Sequence, residues 1–342
     1  MEKERNLSSV SPAFDLARKT LRKSSASIHS RNRINASRTN EIFERLGPIP
    51  RLCIDYQLNS LEMSQHEESL DLAISEVTPN KLRLLLRTAA IGDFGIDTMS
   101  HKIALLSRKS LDNVHSRGVV IPITPFIRSR LSNQLRNLAR EEQLRLYEYF
   151  ARVPEGRKMA GIFFEALAQR GLQEGITLEL VPMVKLGEAR QGALPRWYSG
   201  HELLNNPKLE AGRQQALRRR FSIEVKPVRT EEFPDNGPLS LAHDVMYVPE
   251  ADNNVALDSF IWLDDLVIFQ FSIAAAHDIK PGLLDFFKKY AEIPPFPPPS
   301  SWKFIFVVEP KQILICPQSR NLTLRELDMY SAVVDVKKQS VA

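Results

Sequence analysis

The chain has 342 residues, 43% of them hydrophobic and 25% charged, with two cysteines and a formal net charge of +5. This is the composition of a globular protein with one large or two medium domains. No apolar run approaches the roughly 18–20 residues of a membrane span, and residues 1–7 lack the apolar core of a signal peptide.

The charge is unevenly placed. Residues 1–51 hold eleven Lys/Arg against five Asp/Glu, a net of +6, which leaves −1 for the remainder. Residues 1–46 therefore read as a disordered basic leader, suited to nucleic acid, to an acidic partner or to a nuclear address. Gly47-Pro48-Ile49-Pro50-Arg51 punctuates the start of folded material. Cys53 and Cys316 stand alone, without CxxC spacing or a histidine cluster, which points to buried thiols in a reducing, intracellular setting.

From 52 to 90 the apolar spacing is helical, with Leu70, Ile74 and Val77 before Pro79 and Leu82, Leu85 and Leu86 after it. Residues 102–107 and 118–123 are short β-like runs that can pair. Residues 126–150 read as one long amphipathic helix with Leu131, Leu135, Leu138, Leu144 and Tyr147 on its apolar side; Arg128, Arg130, Arg136, Arg140 and Arg145 lie away from it. Pro154-Glu155-Gly156-Arg157 breaks that helix, and a second follows over 159–170. Residues 176–183 alternate as a strand should.

Residues 184–235 are polar, include Arg218-Arg219-Arg220, and read as an insertion. Beyond Asp244 the texture is dense β, at 245–249, 259–262 and 266–272. A helix is expected at about 281–291, and a run at 302–308, apolar on both faces, fits a covered central strand. The expected architecture is α/β: a mostly helical region over 47–153, then a mixed-sheet domain over 154–342.

Chemistry concentrates in the hairpin from Asp258 to Ser272. An acid before one short strand and a polar residue within the next is a pattern that holds Mg²⁺ in phosphodiesterases, which need oxygen ligands, a proton shuttle and a cation at the phosphate. Glu165, Asp258 and Gln270 are the candidate metal ligands, although Gln270 offers only a neutral carbonyl oxygen. His277 is the candidate shuttle and Lys280 the cation. Each has a structural alternative: Asp258 suits a strand cap, Glu165 an exposed helix position, and Gln270 a hydrogen-bonded buried amide. No Gly-x-x-x-x-Gly-Lys-Ser/Thr loop and no Gly-x-Ser-x-Gly elbow is present, which excludes a complete P-loop ATPase and argues against an α/β-hydrolase.

The order Tyr247-Val248-Pro249, Asp258-Ser259-Phe260-Ile261, Phe269-Gln270-Phe271-Ser272, His277, Ile279-Lys280-Pro281-Gly282-Leu283 and Trp302-Lys303-Phe304-Ile305-Phe306-Val307 resembles the C-terminal region of fungal Crinkler-type and retrotransposon-hot-spot-like proteins. Upstream, Gly47-Pro48-Ile49-Pro50-Arg51, Ser100-His101-Lys102-Ile103, Pro154-Glu155-Gly156-Arg157 and Gly161-Ile162-Phe163-Phe164-Glu165 extend the resemblance over most of 47–310. The resemblance implies a divergent PD-(D/E)xK restriction-endonuclease-like domain that follows a P-loop ATPase. Glu165 would match the acid of the first helix, Asp258 the central acid and Gln270 the E-x-K position.

Gln270-Phe271-Ser272 lacks both the acid and the lysine of E-x-K, so Lys280 would act as a migrated lysine, and the ATPase would have to be a separate partner. Two readings stay open: a Mg²⁺-dependent nuclease, or a non-catalytic effector or mobile-element-derived module that binds nucleic acid or protein. A nuclear, non-membrane setting suits both.

Overall fold

A computed structural model describes residues 35–47, 50–84, 102–108, 118–153, 156–186, 196–199, 214, 218–234, 240–249, 257–277, 279, 282–283, 285–287, 297–298, 301–310, 315–317 and 327–338. The protein is α/β, with helices N-terminal to an eight-stranded mixed sheet that curls into a half-barrel. The chain divides into two compact units: residues 1–134 with 149–159, and residues 135–148 with 160–342. The division expected at 153/154 therefore falls differently, because three consecutive helices each have residues in both units.

In the first unit, α1 (Ala36–Leu46) forms within the segment expected to be a disordered leader. Composition hid its pattern: Thr39, Ile42, Phe43 and Leu46 recur at helical spacing and are buried. Asn35 caps the helix by accepting from the Ser37 and Arg38 N–H groups, and Gly47 ends it at φ 103 with its N–H on the Phe43 carbonyl. The rest of that leader, residues 1–34, lies outside the described residues. Next come α2 (Pro50–Leu58), α3 (Ser60–Ser75) and the antiparallel pair β1 (Ala104–Arg108) and β2 (Gly118–Pro122), as expected.

The single helix expected over 126–150 is two, α4 (Pro125–Arg136) and α5 (Arg140–Ala151). The leucine spacing runs through the break, but the backbone does not. Gln143 donates its amide to the Leu135 carbonyl at 2.6 Å, and Arg170 donates to the carbonyls of Arg136 and Leu138 at 2.8 and 3.3 Å. Side chains thus take the carbonyls that a continuous helix would have used internally.

The second unit is organised around α6 (Arg157–Glu174), buried on every side from Ile162 to Gln169. After it come β3 (Ile176–Pro182), β4 (Val184–Leu186), β5 (Arg196–Tyr198), β6 (Phe221–Val225), β7 (Arg229–Phe233) and β8 (Val245–Pro249). Then follow β9 (Ser259–Trp262), β10 (Leu266–Ser272), β11 (Lys303–Val308), β12 (Ile315–Pro317) and β13 (Asp328–Val333). The large sheet has the order β6-β3-β13-β11-β10-β9-β8-β7, and β12-β5-β4 form a small antiparallel sheet.

β11 is flanked by β10 and β13, both parallel to it, which makes it the covered interior strand its apolar sequence calls for. Residues 283 and 285–287 are helical, with the Phe286 N–H on the Gly282 carbonyl at 2.9 Å. The remainder of the helix expected at 281–291 lies outside the described residues.

Within the polar segment 184–235, expected as an insertion, residues 221–233 supply both edges of the large sheet, β6 and β7. Polarity misled because edge strands carry charge on purpose: Glu224 on β6 and Arg229, Glu231 and Glu232 on β7 discourage pairing with other chains. The pairings from β7 round to β6 leave these two strands pointing the same way, although only Lys226-Pro227-Val228 separates them. Residues 221–233 are thus one kinked extended segment whose first half closes one edge and whose second half closes the other. The kink is tied to the end of α6: the Val228 N–H donates to the Gln173 carbonyl at 3.1 Å, and Gln173 Nε2 donates to Thr230 Oγ1 at 2.6 Å.

Candidate functional site

The candidate site lies where β9 leaves β10. Leu263-Asp264-Asp265 turns the hairpin, with the Leu263 N–H on the Asp265 carbonyl and Lys303 ion-paired to Asp265. Ser259 faces Phe269, so the next pair outward sets Asp258 opposite Gln270. Strand alternation turns Gln270 to the side of Ile268 and Ser272. That side carries an apolar cluster, with Tyr247, Phe260, Ile268, Phe304 and Phe306 among its members. Gln270 is 8% exposed and its register partner on β11 is Phe306, so its amide sits in an apolar wall and needs partners.

Asp258 provides one. Its Oδ2 accepts from Gln270 Nε2 at 2.8 Å and from the Phe271 N–H at 2.7 Å. The Asp258 N–H itself donates to the Phe269 carbonyl at 3.1 Å, the last rung before the strands part. The carboxylate thus takes the place of the next strand carbonyl and satisfies a donor that the end of the ladder would leave orphaned. A half-buried carboxylate with two short N–H donors on one oxygen makes strong, charge-assisted bonds.

Glu165 approaches from elsewhere. Gly161, Glu165 and Gln169 recur every four residues and share one face of α6. A Cβ on Gly161 would lie 3.6 Å from Ile273, and Gln169 Nε2 donates to the Asp258 carbonyl at 3.5 Å. Ile273 lies just past the end of β10, so this face of α6 packs where that strand ends. Glu165 is buried there, contrary to the exposed alternative.

His277 is half-buried with its ring 6.2 Å from that of Phe306, on the Gln270 side. Lys280 lies outside the described residues. Hence Asp258 and Gln270 meet directly, His277 borders the same apolar wall, and Gln169, one turn along α6 from Glu165, reaches the Asp258 carbonyl. Among the described residues no group of three His, Cys, Asp or Glu could hold a metal ion.

No family model matches this chain, and no curated protein or solved structure matches it either. What the site can do therefore rests on its own geometry.

Two polar groups at this place carry no signal in a hydrophobic-pattern reading. Gln169, one turn beyond Glu165, is 1% exposed, and its Oε1 finds no hydrogen-bond partner among the described residues; the Oγ of Ser259, fully buried, finds none there either. Gln169 beside Ala166, Leu167 and Ala168 was the available clue. Away from the hairpin, Arg218, Arg219 and Arg220 are exposed just ahead of edge strand β6, and Arg220 pairs with Glu179 at 3.1 Å. No helix among the described residues is long and apolar enough to cross a membrane.

Proposed function

We propose that this chain is a non-catalytic module that binds nucleic acid through its basic surface, on the α/β scaffold that the Crinkler-type resemblance implies. The observation that carries the reading is the Asp258 carboxylate, whose Oδ2 is already engaged by Gln270 Nε2 and the Phe271 N–H. Mg²⁺ demands near-octahedral oxygen ligation at about 2.0–2.1 Å. A carboxylate oxygen filled by two N–H donors, beside a glutamine that presents its NH₂, does not suit it. No hydrolytic step is therefore assigned to Asp258, Gln270, His277 or Glu165. The ligand class follows from Arg218, Arg219 and Arg220, all exposed, and from the net +6 over residues 1–51.

The test uses the full chain with labelled single- and double-stranded DNA and RNA, in Mn²⁺ or Mg²⁺, over a salt series. Wild type and Asp258→Asn are expected to bind equally and to leave every substrate intact. Replacing Arg218, Arg219 and Arg220 with alanine is expected to weaken binding and to flatten the slope of log K against log salt by about 2; the value falls short of three contacts because Arg220 already pairs with Glu179. Metal-dependent cutting by wild type that disappears in Asp258→Asn would return the chain to the nucleases.

A further inference from the structure

We infer that Ser222 is a phosphorylation site for an arginine-directed serine/threonine kinase, and that its phosphate switches off the basic patch beside it. Arg219 and Arg220 stand three and two positions before Ser222, and Ile223 follows it. Guanidinium groups so placed, with an apolar residue after the hydroxyl, are a charge pattern that an acidic kinase cleft selects. Among the described residues no other Ser or Thr has a basic residue at both of those positions.

The fold presents this sequence to solvent. Arg218, Arg219, Arg220 and Ser222 are all exposed. β6 closes one edge of the large sheet, with β3 as its neighbour, so the segment is already extended and a terminal strand opens at lower cost than a central one. In the transfer, a bond forms from Ser222 Oγ to the γ-phosphorus of ATP and the bond to the β–γ bridging oxygen breaks. ADP leaves, and the hydroxyl proton passes to the catalytic aspartate of the kinase.

The charges around Ser222 are placed to respond. Ser222 lies directly across the ladder from Glu179, and Arg220 reaches Glu179 at 3.1 Å, so the same guanidinium stands beside the serine. Both side chains of that ion pair are more than half exposed, which makes it weak. A phosphoserine carries about −1.5 to −2 charges at pH 7 and three strong acceptor oxygens. It draws Arg220 from Glu179 into a stronger, charge-assisted pair. With Glu179 it then offsets the three guanidinium charges. This second half rests on the reading of the patch as the nucleic-acid contact; the phosphorylation does not.

The experiment treats the full chain, wild type and Ser222→Ala, with ATP and the cyclic-AMP-dependent kinase, maps phosphate by mass spectrometry, and measures binding to labelled DNA and RNA. Wild type is expected to carry phosphate at Ser222. Ser25 and Ser340, which follow Arg22-Lys23 and Lys337-Lys338, are mapped separately in both proteins. Treated wild type should bind about tenfold more weakly than Ser222→Ala treated in the same way. Absence of phosphate at Ser222 overturns the inference, as does phosphate there with binding equal to that of the treated alanine variant. If untreated wild type binds no nucleic acid, the functional reading falls and the switch with it, while the mapped phosphate still decides the site.

Discussion

Removing the Asp258 carboxylate leaves two donors stranded, the Gln270 amide and the Phe271 N–H. Each unsatisfied buried donor costs about 1–3 kcal/mol, so Asp258→Ala should lower stability by roughly that amount or more in urea unfolding. Asp258→Asn, which keeps an acceptor oxygen, should lose less than half as much. Equal losses would mean that the carboxylate is not the acceptor that matters. The meeting of Asp258 with Gln270 was legible beforehand, because a tight hairpin between two apolar runs fixes which residues face each other. The role of that meeting was not legible. Sequence supplies an acid and an amide, but only the ladder geometry reveals that Phe271 N–H competes for the same oxygen. Glu165 was legible only as a residue of the helix before the first strand; its burial, at 7% exposed, was not, because a lone acid in an amphipathic pattern reads as exposed.

Among elements, the strands β8 to β11 announced themselves through dense runs of apolar residues. β13 did not. It lies between β3 and β11, yet its buried positions include Ser331 and Ala332, small side chains that leave no hydrophobic signature. β6 and β7 escaped because charge, useful at an edge, looks like a loop in sequence. The junction that joins them also makes a demand on α6. Gly175, just past its end, has φ 93, and an added Cβ would lie 2.9–3.1 Å from Pro227. Both the backbone region and the contact forbid a side chain. Gly175→Ala should therefore destabilise by about 1–3 kcal/mol, measured as a drop in the urea midpoint; an unchanged midpoint would show that the kink can move aside.

At the scale of the whole second unit, burial is steepest at the centre of the large sheet. Phe304, Ile305 and Phe306 on β11 and Ile268 and Phe269 on β10 are fully buried, whereas β6 and β7 alternate with exposed residues. Native-state hydrogen exchange should follow this gradient, with β10 and β11 amides opening only on global unfolding and outward amides of β6 and β7 exchanging orders of magnitude faster. Fast exchange along β11 would contradict the assigned strand order.

The kinked segment 221–233 has one more consequence, for strand register. Slipping a strand by one residue turns every side chain to the wrong face. Here β6 and β7 are separated by Lys226-Pro227-Val228 alone, so a slip at one edge is transmitted through the proline to the other edge seven strands away. A one-residue insertion beside Pro227 would break that coupling and let the two alignments drift apart. One short peptide thus sets the alignment of the first strand and the last, and evolution can lengthen the loops elsewhere in this unit far more freely than it can lengthen this one.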